Sequence, residues 1–555
     1  MTSLDDLKIE NWDNWLGDYD IPGYIAKPQD KDELLDLVEW AVSEGRKIRA
    51  VGSGHSHSTC ARPNHIFVDI SAITGTFDRV DWLKDDPPGV AAGEHLVRVK
   101  AGTTIKQLNR LHLPAMSPPL GLINAGTFDG QTLAGAISTG THGTGARLGN
   151  LADMVVSMDI VTVTEDGDGA PEVQMRRIEP TDGVTNPTLF ERLHAQHGMV
   201  LEQDDDLFYS MVVSYGCMGI VYAYTLKVRE EYWLWEYTDL IEWPSLSAQL
   251  AEETATPNGV VPAVADTARH VWFMLNIAEM QGKNRTSSPA CFLVRRGLND
   301  AATKPRLWTR AWPPERKSDW FKEFVQDLGD LDPRKEHNGV GRKIRNNIEN
   351  NDVGEPAFKG DYWKSVSYIV HRREQEDKGD QQPPEPPPPT LSIEIAVPAT
   401  KVMAALEAAI ECVEQSEYFF ISPWGVRFSD ASGHYLSPAY GRATAWIEVP
   451  FALPIMTLVE VRDDIAKPEL DKIETALCDP EGLQGRPHLG KHNTLDRSKF
   501  KCLFPKWDVW LAAYRRFNAF GTFSNAFTDQ LGLDQDSHEE PATIWLEPVL
   551  HVMLS

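Results

Sequence analysis

The sequence is poor in cysteine and has no cysteine pair at metal-binding spacing. Its six cysteines are scattered over 555 residues, and none is part of a C-x-x-C motif. A disulfide framework and a thiolate zinc site are therefore not expected, and we predict no metal site. The same cysteine usage is typical of a reducing compartment, so we expect an intracellular, cytoplasmic protein.

Long apolar runs and an excess of positive charge are also missing. The first residues, MTSLDDLKIENWDNW, contain no basic region followed by an apolar run, so no signal peptide is visible. No stretch approaches the roughly 20 apolar residues of a membrane span. The net charge of −27 argues against a nucleic-acid polymer or an anionic membrane as partner, because both bind basic patches. The sequence leaves the oligomeric state open.

The chain is too long for one compact core, so two domains are expected. Up to about residue 230, strand and helix patterns alternate and predict one α+β unit, with a helix over 31–44 and a strand over 48–51. A second unit follows. It is interrupted at 376–390 by a segment containing QQPPEPPPP, a composition that favours polyproline II on the surface. We interpret this segment as a loop inserted in the second unit.

Two glycine-rich turns carry the strongest chemical signal. Residues 51–58 read VGSGHSHS after a predicted strand, and residues 125–145 read AGTFDGQTLAGAISTGTHGTG. Glycines and serines let backbone N–H groups converge on an anion such as a diphosphate. The first turn alone is equally consistent with an ordinary surface turn. The second turn would make a poor packed helix, because each glycine costs roughly 1 kcal/mol there.

These turns resemble the cofactor loops of the vanillyl-alcohol-oxidase superfamily, in its aldonolactone and alditol oxidase branch. GSGHS and TGTHGTG occur in the family's order, and LSPAYGR, RPHLGK and FSNAF extend the resemblance toward the C-terminus. The resemblance implies an α+β fold in which a two-subdomain FAD-binding domain is joined to an α+β substrate (cap) domain. The expected limits are 1–230 for the FAD-binding domain, 231–480 for the substrate domain and 481–555 for a C-terminal segment that returns to the flavin.

The resemblance implies FAD as cofactor, covalently bound through His55, the histidine of the GHS motif. His57 is the nearby alternative for this bond and is also expected at the cofactor. The other residues placed at the cofactor are Val51, Gly52, Ser53, Gly54, Ser56, Gly126, Thr127, Gln131, Thr132, Gly135, Thr139, Gly140, His142, Gly143, Thr144, Gly219, Ile220, Lys491 and Asn525.

On the substrate side, Lys491 matches the family's active-site lysine and Arg427 matches its substrate-binding arginine. Gly425 departs from the family pattern, which usually has glutamate there. The departure removes a hydrogen-bond partner and a possible proton acceptor. Counting on from LSPAYGR, Glu448 is the candidate to restore a carboxylate from a different strand, and Glu394 is the second candidate. Each of the two is also compatible with a purely structural role.

The resemblance implies hydride transfer from a C–OH group to flavin, followed by reduction of O2 to H2O2. Gly126 is expected beside the reactive face of the flavin, where a small residue leaves room for O2. Thr127 is a candidate to hydrogen-bond the substrate or only its own backbone. The expected partners are O2 and a small polyhydroxylated substrate: a sugar, polyol, lactone or nucleoside. Two alternatives stay open, a dehydrogenase with another electron acceptor and a flavin-binding protein without turnover.

Overall fold

The fold is seen in a computed structural model that describes residues 7–14, 21–62, 66–77, 80–126, 128–194, 198–298, 331–351, 354–361, 390–453 and 458–534. The predicted proline-rich loop lies outside these residues except for Thr390, which begins a strand. Thr127 and the end of the predicted C-terminal segment, residues 535–555, also lie outside them.

Ten strands in the first part of the chain form two sheets that share one apolar core. The first sheet has the order β1-β2-β4-β3, and the second has the order β5-β10-β7-β8-β9 with β6 paired to β10. Parallel and antiparallel pairs are both present, as expected for an α+β fold. The strands are β1 (Lys8–Trp12), β2 (Ile21–Ala26), β3 (Ile48–Val51), β4 (Ile66–Asp69), β5 (Glu94–Lys100), β6 (Leu120–Gly121), β7 (Val155–Glu165), β8 (Pro171–Glu179), β9 (Met199–Gln203) and β10 (Ile220–Glu230).

Helix α1 (Lys31–Ser43) leads from β2 to β3 and confirms the helix predicted over 31–44. It begins after Asp30, whose carboxylate accepts the N–H groups of the first turn and so caps the helix. Leu34, Val38 and Ala41 repeat at helical spacing and are buried against the sheets. The chain then enters β3, which ends at the first glycine-rich turn. The turn is thereby fixed to a buried strand.

A third sheet of eight strands follows, in the order β16-β11-β15-β14-β18-β19-β17-β20. A separate hairpin, β12 and β13, lies beside it. The strands are β11 (Trp233–Glu242), β12 (Glu253–Thr256), β13 (Gly259–Pro262), β14 (His270–Leu275), β15 (Ala290–Leu298), β16 (Gly354–Asp361), β17 (Thr390–Pro398), β18 (Trp424–Ser429), β19 (Thr444–Ala452) and β20 (Arg486–Pro487).

The described α-helices of five or more residues pack on these sheets. They are α1, α2 (Leu133–Ser138), α3 (Pro187–His194), α4 (Asp205–Met211), α5 (Trp243–Ala251), α6 (Val340–Asn351), α7 (Val402–Gln415), α8 (Lys467–Leu477), α9 (Arg497–Leu503), α10 (Trp507–Phe517) and α11 (Ala526–Gln530). The aromatic faces of α9 and α10 join the core of the first two sheets. Helices α9 and α10 therefore pack with the first part of the chain. No helix in the described part of the chain has the length and apolarity to cross a membrane.

The two faces of the third sheet differ in polarity. Ile393 and Ile395 of β17 belong to an apolar core that includes side chains of α7 and α8. Glu394, between them, points to the opposite face, because neighbouring residues of a strand alternate. That opposite face meets the first part of the chain, where the His142 ring stacks on Trp446 of β19 with centroids 3.8 Å apart. Polar side chains are thus buried between the third sheet and the glycine-rich segment. The predicted domain limits remain predictions.

Candidate active site

The two glycine-rich turns meet and form one wall of a cleft with about 760 Å³ of empty space, part of it open to solvent. Eleven of the residues predicted at the cofactor line it, namely Val51, Gly52, Ser53, Gly54, His55, Ser56, Gln131, Thr132, Gly135, Thr139 and Gly219. In a chain of net charge −27, these described lining residues include no carboxylate. Backbone N–H groups and hydroxyls in such a setting suit an anionic, phosphate-bearing ligand.

Close approach of the two turns explains why the cleft needs glycine at position 52. A Cβ atom there would lie 2.3 Å from the Thr132 hydroxyl oxygen. Nearby, the Ser53 hydroxyl donates to the Gly130 carbonyl at 2.7 Å. Gly54 has φ of +69°, in the left-handed region that favours glycine. The conformation of this loop is therefore encoded locally by its glycines.

Arg49 of β3 ties the segments around the cleft together. This arginine is buried, and its guanidinium donates to the carbonyl oxygens of Cys60 at 2.8 Å, Gly216 at 2.8 Å and Phe523 at 2.9 Å. It also donates to the Tyr215 carbonyl. The planar, multi-donor guanidinium is suited to this role because it can serve several fixed acceptors at once. The sequence analysis missed this residue.

The cleft is also lined by residues that were not predicted at the cofactor, namely Ala50, Cys60, Ala61, Ile70, Ala134, Ser138, Tyr215, Gly216 and Val221. Most are small residues whose only signal is that they neighbour predicted ones. Tyr215 is different, because it has φ of +53° and is followed by Gly216 at +71°. A non-glycine residue in the left-handed region often marks a constrained functional loop.

His55 lies at the cleft with its ring half-buried, and its centroid is 4.2 Å from that of Phe128. His57, two residues on, turns away from it. The His57 backbone N–H donates to the Gly490 carbonyl at 2.7 Å, and its ring nitrogen Nδ1 lies 3.4 Å from the Ser392 hydroxyl. The first glycine-rich turn therefore connects the cleft to the RPHLGK segment.

Several residues predicted at the cofactor lie outside the cleft lining. Asn525 is buried at the start of α11, and its amide donates to the carbonyls of Thr59, Cys60 and Arg62 behind the first turn. The structure therefore gives Asn525 contacts with the loop. Ile220 begins β10 of the second sheet, next to the lining residue Gly219. The remaining residues, Gly126, Gly140, His142, Gly143, Thr144, His57 and Lys491, belong to the two glycine-rich segments and to the RPHLGK segment.

Five ionisable side chains, which we call the charged chain, follow one another on the polar face of the third sheet. Glu394 lies 3.0 Å from the His142 ring nitrogen Nε2 and accepts from Arg427 at 2.8 Å. Glu448 accepts from Arg427 at 2.7 Å and from Lys491 at 3.0 Å. Arg427 thus bridges both carboxylates. Such charge-assisted bonds in a buried setting are strong and fix geometry.

The register of strands β17, β18 and β19 explains why Arg427 and the two carboxylates meet. Gly425 of β18 lies opposite Glu448 of β19, and Glu448 lies opposite Glu394 of β17. The three positions form one row across the sheet and face the same side. A Cβ atom at Gly425 would be 3.6 Å from both the Arg427 guanidinium and the Glu448 carboxylate. Space beside the arginine is therefore present where the family usually has glutamate, and Glu448 presents a carboxylate to that space.

The pKa values of the two carboxylates are set by opposing effects. Burial by itself raises the pKa of Glu448, but the charges of Lys491 and Arg427 outweigh it and lower that pKa to about 2. Burial likewise raises the pKa of Glu394, yet His142 and Arg427 hold it well below its ordinary value. Both groups are consequently carboxylates at neutral pH.

This arrangement predicts an acid-sensitive contribution of Glu448 to stability. A carboxylate whose pKa is lowered on folding stabilises the protein fully above about pH 4.5, and this stabilisation is lost as the pH falls toward 2. We expect Glu448→Gln to reduce the free energy of unfolding by on the order of 2–3 kcal/mol at pH 7. Urea unfolding between pH 3 and 7 should show the difference from wild type shrinking below pH 4.5.

Glu407→Gln is the matched control for this prediction, because Glu407 lies on the exposed side of α7. It should leave the free energy of unfolding unchanged across the range. A wild-type to Glu448→Gln difference that stays constant down to pH 3 would contradict the assigned ion pairs.

Two family models match parts of the chain. Residues 22–168 match the model described as FAD binding domain. Residues 389–531 match the model described as D-arabinono-1,4-lactone oxidase. The first match contains both glycine-rich turns. The second contains four of the five members of the charged chain, namely Glu394, Arg427, Glu448 and Lys491.

Similarity to known proteins extends over nearly the full length. The L-gulono-1,4-lactone dehydrogenase of Mycobacterium tuberculosis is 24% identical over 529 residues, which cover 93% of this chain and 98% of that protein. The L-gulonolactone oxidase of Bos taurus is 22% identical over 534 residues, covering 95% and 98%. The D-arabinono-1,4-lactone oxidase of Eremothecium gossypii is 32% identical over 166 residues, 29% of each chain.

Among solved structures, a solvent-stable cholesterol oxidase superposes with a TM-score of 0.64 at 16% identity, covering 95% of this chain and 98% of that chain. At this identity the likeness shows the fold, which is of the vanillyl-alcohol-oxidase type. Fold, family matches and relatives together define an FAD-linked oxidoreductase that acts on CH–OH groups. The chain combines an FAD binding domain with a D-arabinono-1,4-lactone oxidase domain, and its relatives are aldonolactone oxidases and dehydrogenases, which confirms the resemblance found in its sequence.

Proposed function

We propose that this protein is an FAD-dependent oxidase of a sugar lactone or a closely related polyhydroxylated compound, with O2 as electron acceptor and H2O2 as product. The observation that carries the proposal is the junction between cleft and charged chain. The loop that holds His55 also donates the His57 N–H to Gly490, next to Lys491. A substrate on the charged chain would thus lie beside a cofactor in the cleft.

The cleft supports FAD binding by its residues. Hydroxyl and amide side chains and glycine backbone would hold the diphosphate, in a lining that has no carboxylate. Bound FAD supplies a hydride acceptor and a route for electrons to O2. His55 is the proposed covalent attachment point, because its ring is at the cleft while His57 is bonded toward Ser392 and Gly490.

The charged chain supports binding of a hydroxyl-bearing substrate. Arg427 and Lys491 are each held by carboxylates and still carry further N–H groups that can donate to substrate oxygen. Positive charge at this place would stabilise the alkoxide character that develops as the hydride leaves. Glu448 and Glu394 hold these cations in position, and Thr127 is retained as a candidate hydrogen-bond donor to the substrate.

The identity of the electron acceptor distinguishes an oxidase, which uses O2, from a dehydrogenase, which uses another acceptor. The similar proteins include both an oxidase and a dehydrogenase by name. We favour O2 because the family resemblance places Gly126, which has no side chain, beside the reactive face of the flavin. Position 126 is closely packed and suits only glycine, since a Cβ atom there would come within 2.9 Å of the Thr141 methyl group. The alternative of a flavin-binding protein without turnover rested on Gly425, and the Glu448 carboxylate opposite it weakens that argument.

One experiment tests the proposed function. Purified holoprotein is mixed anaerobically with L-gulono-1,4-lactone, D-arabinono-1,4-lactone, polyols, nucleosides and oligosaccharides, and flavin absorbance is followed. We expect at least one lactone or polyol to bleach the flavin, and air to restore the colour with one H2O2 formed per substrate. Bleaching that only a quinone or cytochrome reverses would favour the dehydrogenase. Absence of bleaching with every compound would overturn the proposal.

A further inference from the structure

Neither carboxylate of the charged chain is suited to accept the hydroxyl proton of a substrate. Glu448 lies between Lys491 and Arg427, which lower its pKa to about 2. Glu394 lies between Arg427 and His142, and its pKa is also held well below the ordinary value. Carboxylates this strongly paired bind a proton weakly at neutral pH. Alcohol oxidation nevertheless releases one proton, so another group must receive it.

His57 lies at the end of a hydrogen-bonded path from this site. Lys491 Nζ donates to the Ser392 hydroxyl oxygen at 3.1 Å, and that oxygen lies 3.4 Å from His57 Nδ1. The Ser392 hydroxyl has one hydrogen and two lone pairs, so its oxygen can accept from Lys491 while its hydrogen is donated to His57 Nδ1. A bond in that direction requires the ring proton of neutral His57 on Nε2 and makes Nδ1 the acceptor.

The surroundings of His57 keep its ring neutral at pH 7. Burial lowers the pKa of His57 well below its ordinary value, and the positive charge of Lys491 adds to this effect. Glu448 and a hydrogen bond with the Ser392 backbone act in the opposite direction and favour the imidazolium. His55, on the same loop, lowers the pKa further. The ring is therefore neutral before the reaction, and a carboxylate and a backbone group partly offset the cost of the charge that arrives.

We propose that His57, acting through Ser392, is the terminal acceptor of the substrate hydroxyl proton. The inference rests on the proposed function. As the substrate C–H bond gives its electron pair as hydride to the FAD, the hydroxyl proton passes to Ser392 Oγ, and the Ser392 proton passes to His57 Nδ1. The substrate becomes a carbonyl compound, Ser392 is unchanged, and His57 becomes imidazolium. His57 then releases the proton to solvent, because its lowered pKa disfavours the imidazolium at neutral pH.

The first test needs no substrate. Holoprotein labelled with ¹⁵N-histidine is compared with its His57→Asn variant, so that the His57 signals are identified among the 16 histidines. We expect a neutral ring at pH 7 with the proton on Nε2, and a change of the Nδ1 signal in Ser392→Ala. An imidazolium at pH 7, or a proton on Nδ1, overturns the inference.

The second test measures anaerobic flavin reduction by L-gulono-1,4-lactone at different pH values. Asparagine at position 57 can still accept the Ser392 hydrogen bond but cannot take a proton. We expect His57→Asn to slow reduction by about 10²-fold or more. Because the pKa of His57 is held well below 6.5, the wild-type rate should fall only at a pH well below that value, as His57 becomes protonated, and this inflection should be absent from the variant. In Ser392→Ala, which still has His57, flavin reduction should be slowed to the same extent.

His492→Asn is the matched control. His492 is the next histidine along the chain from Lys491 and pairs with Asp471 of α8, away from Ser392 Oγ. The flavin of His492→Asn should be reduced at the wild-type rate, and the pH inflection should remain. If the flavin of His57→Asn is reduced as fast as that of wild type, or if the pH inflection remains, the role of His57 is overturned while the proposed function stands. A wild-type protein that no compound of the panel reduces overturns the proposed function instead.

Discussion

Replacement of Arg427 by lysine is expected to slow anaerobic flavin reduction by about 10²- to 10³-fold, while the protein remains folded and yellow. Arg427 donates through different terminal nitrogens to Glu394 and Glu448, at 2.8 Å and 2.7 Å. Lysine keeps the positive charge but has a single flexible ammonium group, which cannot reproduce this fixed fork. The measurement is the rate of flavin bleaching by L-gulono-1,4-lactone in a stopped-flow instrument.

A surface pair provides the control for this substitution. Arg285 pairs with Glu414 at an exposed position, so Arg285→Lys makes the same chemical change far from the charged chain. It should reduce at the wild-type rate. If Arg427→Lys also retained that rate, with flavin content and unfolding temperature unchanged, Arg427 would have no role beyond its charge.

The second large effect concerns the covalent bond to flavin. We expect wild-type protein precipitated with acid to keep its yellow colour in the pellet, and His55→Ala to release all of it into the supernatant. The reason is positional, since His55 lines the cleft while the ring of His57 is directed to Ser392. The measurement is the flavin absorbance of pellet and supernatant.

His57→Asn serves as the control for the attachment site. It removes the competing histidine from the same loop and should leave the flavin in the pellet. Free FAD in the supernatant of wild-type protein would disprove covalent attachment. If His55→Ala kept the flavin in the pellet and His57→Asn lost it, the attachment site would be His57 and not His55.

Much of the cleft lining could be predicted because its signals are local. Val51 to Ser56 are consecutive residues after a buried strand, and the conformation of this turn depends on glycines that are visible in the sequence. Helix α1 was predicted equally well, since a capping residue and a buried stripe at helical spacing are both short-range features. The role of Arg49 was not visible, because its acceptors come from segments up to 474 positions away in the sequence.

On the substrate side the sequence supplied candidates but not their connections. Glu448 was expected to make up for Gly425, and the register of β18 against β19 places the two directly opposite each other. Ser392 was missed, although it is two residues from Glu394 and so faces the same side of β17. His57 was grouped with the flavin residues because it belongs to that turn, and nothing in the sequence indicated that its ring nitrogen Nδ1 would lie 3.4 Å from the Ser392 hydroxyl.

The sequence by itself determined the alternation of strands and helices and the two glycine-rich turns, because these depend on patterns within a few positions. Its resemblance to a known family supplied the type of FAD-binding fold and the candidate charged residues. Only the tertiary structure decided which charges pair. Strand register and the packing of the third sheet against the first part of the chain bring His142, Glu394, Arg427, Glu448 and Lys491 into one buried row. Electrostatic interactions act through space, so their partners and the resulting pKa values are fixed by the folded arrangement and not by distance along the chain.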